Sequence, residues 1–217
     1  MNVLIQFAMT ASVCVALAGC CKKDDDVHKP RAEEPIDADY TPLAVGNYWI
    51  YERYQAFLDG TEVAQNTLDS VYVEKDSVID GRLFYKYIRT SSVGPTAFFM
   101  RDSLHYMVLS NGQIVFSSED FSTVFSSYIY TDSDGDTVMT VDKKMSDKDS
   151  LIATPAGVFT TSNFQTAFGH YGSTGLSQVR YMDTRYAKDV GLVEETVSYY
   201  PPHTYNTIRK LVRYHLK

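Results

Sequence analysis

Cysteine is absent from almost the whole chain. The 217 residues include 3 cysteines, Cys14, Cys20 and Cys21, all near the N-terminal end. The sequence after Cys21 therefore has no internal disulfide, no cysteine-ligated zinc and no cysteine nucleophile. Basic residues are also in the minority, since 20 Lys and Arg stand against 27 Asp and Glu. This acidic balance argues against nucleic acid as a partner.

Helical periodicity is scarce as well. No long stretch repeats its apolar residues every 3.6 positions, which excludes a parallel α/β fold with crossover helices. One short helix is predicted near Ser117–Phe121. Aromatic residues are plentiful, with 17 Tyr and 11 Phe beside a single Trp. Because aromatic side chains suit the half-buried surface of a pleated sheet, the composition favours β structure.

Turn signals divide the remaining sequence into short segments. Asp59-Gly60, Asp80-Gly81, Asn111-Gly112 and Asp134-Gly135 supply the positive φ angles that tight hairpins require. The sequence predicts one antiparallel, mainly β domain over residues 42–217, with about eleven strands in a curved sheet, a half-barrel or a barrel-like form. The predicted strands are Asn47–Leu58, Ser70–Ile79, Leu83–Thr90, Leu104–Ser110, Gln113–Ser117, Thr123–Thr131, Thr137–Val141, Val158–Phe168, Gln178–Tyr186, Leu192–Tyr200 and Thr207–Leu216.

The C-terminal strand shows the alternation of a sheet with one solvated face. Its apolar residues are expected to face the core and its charged residues the solvent. The expected inner set is Ile208, Val212, Tyr214 and Leu216, and the expected outer set is Thr207, Arg209, Arg213 and His215.

The first 19 residues carry no charged side chain and are mostly apolar. Such a segment is typical of a secretion signal peptide, although its length is also close to that of an uncleaved membrane helix. Leu17-Ala18-Gly19-Cys20 favours the signal peptide, because it resembles the lipobox of bacterial lipoproteins. The resemblance implies a signal peptide over 1–19, a diacylglyceryl thioether on Cys20 and an acyl chain, such as palmitate, on its amine. Cys21 is then a passenger or a second modified thiol.

Charged residues follow the lipobox. Lys22-Lys23-Asp24-Asp25-Asp26 resembles the export signal of Bacteroidetes lipoproteins, which implies display on the outer face of the outer membrane. A charged tether near any membrane has a similar composition, so the periplasmic face stays open. Residues 20–41 contain Pro30 and Pro35 and no apolar periodicity, which predicts a disordered tether. As a random coil about 20 residues span roughly 25 Å and would hold the domain off the membrane.

Three segments of the domain stand in a characteristic order. They are Pro42–Tyr51, Thr154–Phe159 and Tyr186–Val193. Together they resemble a group of uncharacterised Bacteroidetes secreted proteins and lipoproteins, distantly similar to periplasmic lipoprotein carriers. The resemblance implies a curved antiparallel sheet and carries no catalytic residues. Gly46, Gly157 and Gly191 are expected where strands begin or bend, and Trp49 is expected in the core.

An acidic turn is the first candidate site. Asp132, Asp134 and Asp136 are spaced as in the first half of a calcium-binding loop. The match ends at Thr137 and Lys143, which stand where such a loop needs a Gly and a bidentate Glu. A solvated hairpin turn is therefore favoured over a metal site, and no metal or other cofactor is expected.

A loop stiffened by two prolines is the second candidate site. Tyr199, Tyr200, His203 and Tyr205 surround Pro201-Pro202. Tyrosines on such a loop can stack on a sugar or a peptide. The alternative is a connection whose tyrosines cover the end of the core.

No catalytic arrangement is visible in the sequence. The histidines lack the spacing of a ligand pair, and Glu194 and Glu195 point to opposite faces because they are neighbours on a strand. The leading hypothesis is a surface-anchored, non-catalytic binding or structural module that meets a glycan, a peptide or an envelope protein. One alternative is a carrier or sensor that shelters an apolar ligand within the curved sheet. The other is a glycan-directed hydrolase whose carboxylates come from separate strands.

Replacing Cys20 by alanine is expected to leave an unprocessed precursor, because the lipid is attached to the thiol of that residue. Gel mobility and labelling with a radioactive fatty acid measure processing, and Cys21→Ala is the matched control that should be processed and labelled.

Protease added to intact cells should remove the wild-type domain. Normal processing of Cys20→Ala would contradict the lipobox, and a protected domain would place it on the periplasmic face.

Overall fold

The computed structural model describes residues 40–91, 94–198 and 205–217. Over these residues the chain forms strands and turns and no helix. The thirteen strands of the described ranges are β1 (Tyr48–Phe57), β2 (Glu62–Ile79), β3 (Arg82–Ser91), β4 (Gly94–Ser103), β5 (Tyr106–Leu109), β6 (Ile114–Ser117), β7 (Ser126–Thr131), β8 (Thr137–Met145), β9 (Ser150–Thr154), β10 (Gly157–Gly172), β11 (Gly175–Ala187), β12 (Gly191–Ser198) and β13 (Tyr205–His215). The predicted antiparallel, mainly β fold is confirmed.

Two antiparallel meanders make up the sheet. The strand order is β6-β5-β4-β3-β2-β1-β13-β12-β11-β10-β8-β7, and β9 pairs with β10 beside this path. The first and last strands join the meanders, because β1 pairs with β13 from Tyr48 opposite His215 to Phe57 opposite Tyr205. Each meander alone would leave one long edge of unpaired backbone groups, and the β1–β13 pairing satisfies both.

The sheet curls until its two ends face each other. Irregularities in the ladders, such as the bulge between Ile50 and Tyr51 against β13, bend the strands and increase their twist. At the gap between β6 and β8, the amide of Ser117 donates to Sδ of Met145 at 3.3 Å. The rings of Phe116 and Tyr186 lie 4.8 Å apart between centroids. Side chains thus bridge a nearly closed barrel where backbone pairing ends.

The expected anchoring role of Trp49 is confirmed. Its side chain is buried, and its Nε1 donates to the carbonyl of Val190 at 2.6 Å. The hydroxyl of Tyr51 donates to the carbonyl of Leu192 at 2.9 Å, so β1 is held both to the turn before β12 and to the first residues of β12. Gly191 lies between these carbonyls with φ +95°, and an added Cβ would sit 3.5 Å from Nε1 of Trp49. Two of the three segments singled out in the sequence therefore contact each other.

The turn dipeptides lie at hairpin turns, as predicted. Asp80 and Gly81 both have positive φ, 50° and 74°, between β2 and β3. Two of the observed strands, β4 and β9, were not among those predicted. Strand β4 opens with Gly94-Pro95, which has the composition of a loop, and Pro95 is tolerated because it lies at the start of the strand.

The helix predicted at Ser117–Phe121 is wrong. Side chains fold this segment into consecutive turns instead. Oγ of Ser117 accepts from the amides of Glu119 at 3.2 Å and Asp120 at 2.9 Å. Oδ1 of Asp120 accepts from the amides of Ser122 and Thr123, both at 3.0 Å. Short polar side chains that bond nearby amides compete with the helical ladder, which explains the outcome.

The prediction for β13 is correct at Ile208, which is buried, and at Arg213 and His215, which are exposed. It is wrong at Tyr214, which is 39% exposed, and at Arg209. Val212 is the extra residue of a bulge, because Ile50 pairs with Arg213 and Tyr51 with Leu211. A bulge shifts the alternation by one, so the inward positions change from odd to even numbers. Arg209, expected in solvent, is therefore buried at 1% exposure beside the core residue Leu211.

The two residues before Pro42 contact the sheet. Tyr40, predicted in the tether, packs its ring 5.0 Å from that of Phe116, and Thr41 is buried. None of the residues that the structure describes forms a helix with the length and hydrophobicity needed to cross a membrane.

Replacing Trp49 by alanine is expected to lower the free energy of unfolding by about 3–5 kcal/mol, because it removes a buried aromatic side chain. Urea unfolding of the purified protein followed by circular dichroism measures this. Leu151→Ala is the control, since Leu151 is 71% exposed and should cost no more than about 0.5 kcal/mol. Equal stability of the two variants would contradict the anchoring role of Trp49.

Candidate functional site

The inner face of the curved sheet lines a half-open cavity of about 480 Å³. This volume lies within the range of small-molecule sites, about 300–1,000 Å³. The described residues that line it are Thr41, Trp49, Tyr51, Val71, Tyr87, Arg89, Thr96, Phe98, Met100, Leu109, Val115, Lys143, Phe164, Thr166, Met182, Thr184, Tyr186, Gly191, Leu192, Glu195 and Thr196. They come from strands of both meanders, so the cavity exists only in the joined sheet.

Strand periodicity explains why these residues share one face. Successive side chains of a strand point to opposite sides of the sheet, so every second residue faces the interior. On β4 these are Thr96, Phe98 and Met100, and on β11 they are Met182 and Thr184 followed by Tyr186. The inner face is therefore set by register and not by a contiguous motif.

Most of the cavity wall is apolar and aromatic. The rings of Trp49 and Tyr87 stack with centroids 6.1 Å apart, and those of Tyr87 and Phe98 with centroids 5.4 Å apart. Phe164 and Tyr186 line the same space from the second meander. Binding of an apolar molecule to such a surface is favourable, because it removes apolar area of both from water.

A charged cluster interrupts this wall. Glu195 on β12 lies opposite Arg209 on β13, and their side chains form an ion pair of 2.5 Å. A second guanidinium, that of Arg89 on β3, lies 3.5 Å from the same carboxylate oxygen. Arg209 also places its guanidinium 4.6 Å from the ring centroid of Tyr51. One carboxylate thus balances two arginines at the edge of an apolar cavity.

A further ion pair supports the cluster from β1 and β2. Arg53 lies opposite Arg209 across the β1–β13 ladder. Two like charges in this position repel each other unless each has a counter-charge. Nε and Nη2 of Arg53 donate to the two carboxylate oxygens of Asp69, at 2.8 and 3.0 Å. Because this pair is two-pronged and Asp69 is buried, the charge of Arg53 is satisfied locally.

The tyrosine hydroxyls of the site stay protonated at neutral pH. Burial raises the pKa of Tyr87 well above its usual range. Burial also raises the pKa of Tyr51 and of Tyr186. A protonated hydroxyl can donate a hydrogen bond, and that of Tyr87 is buried with no hydrogen-bond partner among the residues that the structure describes.

The opposite orientation predicted for Glu194 and Glu195 is confirmed. Glu195 lines the cavity, whereas Glu194 contacts Nζ of Lys210 at 3.5 Å and Nε of Arg185 at 4.0 Å, away from the cavity. Glu195 is the one carboxylate among the described lining residues. The pair of carboxylates that a glycoside hydrolase would need is not found around this cavity.

The tyrosine loop proposed from the sequence lies mostly outside the described residues. Tyr199, Tyr200 and His203 belong to that part. Tyr205 begins β13 opposite Phe57, with the two ring centroids 5.7 Å apart, and it is partly buried. Tyr205 does not line the cavity, so a binding role of this loop stays a separate prediction.

The acidic segment forms the hairpin turn between β7 and β8. Oδ1 of Asp132 accepts from the amides of Asp134 at 3.0 Å and Asp136 at 2.9 Å. Gly135 takes the positive φ of 88° that the turn requires. In the described parts of the chain, no three potential ligands among His, Cys, Asp and Glu lie together as a metal site. That this turn is not a calcium site stays a prediction, which calorimetry with calcium tests.

Comparison with known proteins adds information on the fold. No protein-family model and no curated protein matches the chain. A crystal structure of a candidate lipoprotein from Parabacteroides distasonis is similar to it, with 15% sequence identity and a TM-score of 0.50, over 82% of this chain and 99% of that chain. A second crystal structure, of a candidate exported protein with a YmcC-like fold from Bacteroides fragilis, has 13% identity and a TM-score of 0.47 over the same shares.

The chain shares its fold with the Parabacteroides protein. The similarity extends over nearly all of that protein, so the curved antiparallel sheet is not peculiar to this sequence. At this level of identity the likeness concerns the fold and carries no site residues.

The residues of the charged cluster were missed by the sequence interpretation. Arg89, Glu195 and Arg209 stand on three strands, and only the pairing of distant strands brings them together. The bulge at Val212 turns Arg209 toward the interior, but it is defined by the pairing of β13 with β1 and cannot be recognised in the sequence of β13 alone. A charged residue within an apolar strand is more often solvated, so the interior position of Arg209 could not be preferred beforehand.

Removing the carboxylate of Glu195 is expected to destabilise the fold strongly, because Arg209 would remain buried without its counter-charge. Glu195→Leu should lower the free energy of unfolding by about 3–5 kcal/mol, and Glu195→Leu with Arg209→Leu should recover most of that loss. Urea unfolding measures both. Glu119→Leu is the control, because that side chain is 71% exposed. A double variant less stable than Glu195→Leu would refute this account of the pair.

Proposed function

We propose that this protein is a lipid-anchored envelope protein that holds an apolar or amphipathic small molecule inside its curved sheet. The single observation that carries the binding part is the cavity of about 480 Å³ with its aromatic wall. The lipobox Leu17-Ala18-Gly19-Cys20 carries the anchoring part. Of the hypotheses open from the sequence, a carrier or sensor needs such a cavity, whereas a purely structural module does not.

The residues that line the cavity are better suited to holding or sensing a ligand than to catalysing a reaction. Aromatic and aliphatic side chains from β1, β3, β4, β10 and β11 surround the space, and they contribute burial without a reactive group. The surface lipoprotein anchor would keep this container at the membrane, where apolar molecules are concentrated. Display on the outer face, indicated by Lys22–Asp26, would give it access to molecules outside the cell.

A neutral apolar fluorophore, N-phenyl-1-naphthylamine, tests the cavity directly. The full chain should bind it in a saturable way, with a rise in its fluorescence. Thr166→Trp should weaken binding about tenfold or more, because Thr166 lines the cavity and the larger side chain would fill it.

Thr160→Trp is the matched control, since Thr160 lies on the same strand, β10, with an exposed side chain. It should leave binding unchanged. Absence of saturable binding by the wild type, or equal loss in both variants, would reject the cavity as a binding site. The Cys20→Ala experiment tests the anchor separately.

A further inference from the structure

The interior of the sheet carries more positive than negative charge. Arg89 and Arg209 share the carboxylate of Glu195, and Lys143 lines the cavity without an ion pair to any described residue. Buried charges are retained when they are paired, so an unbalanced cation beside an apolar space favours an anionic partner.

The two arginines are not equivalent. Arg209 is 1% exposed and lies closer to Glu195, at 2.5 Å, whereas the side chain of Arg89 is 36% exposed and lies 3.5 Å away. Arg209 does not line the cavity, so it neutralises Glu195 from the side of that carboxylate that faces away from the cavity. The uncompensated charge is that of Arg89, whose side chain lines the cavity.

Hydrogen-bond donors are also in excess. Within the described ranges, the hydroxyl of Tyr87 and Nε of Arg89 and of Arg209 are buried without a hydrogen-bond partner. Buried donors are normally satisfied. The two arginine nitrogens belong to the side chains that flank Glu195, whereas the charge that acts most on the Tyr87 hydroxyl is the carboxylate of Asp102. Arginine nitrogens can only donate, so what they lack is an acceptor.

Apolar surface begins next to these donors. Phe98 lies 5.8 Å from the guanidinium of Arg89 and stacks on Tyr87. Beyond it, Met100, Leu109 and Phe164 line the cavity. A molecule that places oxygens on Arg89 would therefore lay its remaining atoms on a hydrophobic surface.

We propose that the cavity binds an amphipathic anion, an alkyl chain ending in an acidic head group. The head group contacts the guanidinium of Arg89, and Lys143, which lines the same cavity, adds a second positive charge. The alkyl chain lies along the aromatic wall. This inference rests on the proposed function, because it assigns the ligand class of the same cavity.

The planar guanidinium favours this head group. Arginine donates two parallel hydrogen bonds to a carboxylate or a phosphate, which a neutral hydroxyl cannot accept in the same way. A charge-assisted hydrogen bond in a partly buried site corresponds to a preference of about tenfold or more for the anion.

Three ligands with the same twelve-carbon chain test the proposal. Dodecanoate, dodecanol and dodecylamine carry a negative, a neutral and a positive head group, and each is used below the concentration at which it aggregates or separates from solution. The assay is displacement of N-phenyl-1-naphthylamine from the full chain. Dodecanoate should displace the fluorophore at a concentration about tenfold lower than dodecanol, and dodecylamine should be the weakest.

Arg89→Gln should abolish the preference for dodecanoate over dodecanol, which is measured as a ratio on the same variant. Lys143→Gln should reduce the preference, which provides a second variant if Arg89→Gln is poorly folded. Arg82→Gln is the matched control, because Arg82 is an exposed residue of the same strand that does not line the cavity. It should keep the full preference.

The outcomes separate this proposal from the broader one. Equal displacement by dodecanoate and dodecanol in the wild type overturns the anion assignment and leaves the apolar cavity standing. A preference that persists in both Arg89→Gln and Lys143→Gln also overturns it. No binding of the fluorophore and no effect of any ligand rejects the proposed function itself.

Discussion

The pairing of the first strand with the last is the constraint on which the structure depends. Residues Asn47 and Lys217, 170 positions apart, are joined at 2.9 Å beside the β1–β13 ladder. Without this ladder the chain would be two open meanders, each with an exposed edge and neither with an interior. With it, the sheet curls around one core, and Trp49 and Tyr51 on β1 reach the carbonyls of Val190 and Leu192. High contact order of this kind makes folding slow relative to local structure.

Curling of the sheet places both apolar and charged side chains in its interior, and burial affects the stability of the two kinds differently. Burial of the apolar wall stabilises the fold wherever the wall is covered. The charged cluster must instead be compensated group by group, and the structure does this for Arg53 through Asp69 and for Arg209 through Glu195. Arg89 is the exception, partly engaged with Glu195 and facing the cavity. The imbalance is concentrated where the sheet leaves space, which is why the cavity and the charge are best understood together.

Local rules predicted the parts of the fold that local forces decide. Asp80-Gly81 forms the expected turn because positive φ is a property of those two residues alone. The helix expected at Ser117–Phe121 failed because the hydroxyl of Ser117 and the carboxylate of Asp120 bond nearby amides. Arg209 could not be placed inside from its own strand, since the bulge at Val212 is defined by the partner strand. The charged cluster is a product of register between distant strands, and a single sequence carries no signal for it.

The single tryptophan has a consequence that follows from its place in the fold. Trp49 is the one indole of the chain, and it lines the cavity with its Nε1 held by Val190. Emission excited at wavelengths that tryptophan absorbs and tyrosine does not therefore originates at one point of the cavity wall. Its wavelength responds to the polarity around that ring and to nothing at the surface. The chain thus contains its own spectroscopic reporter of what enters the sheet.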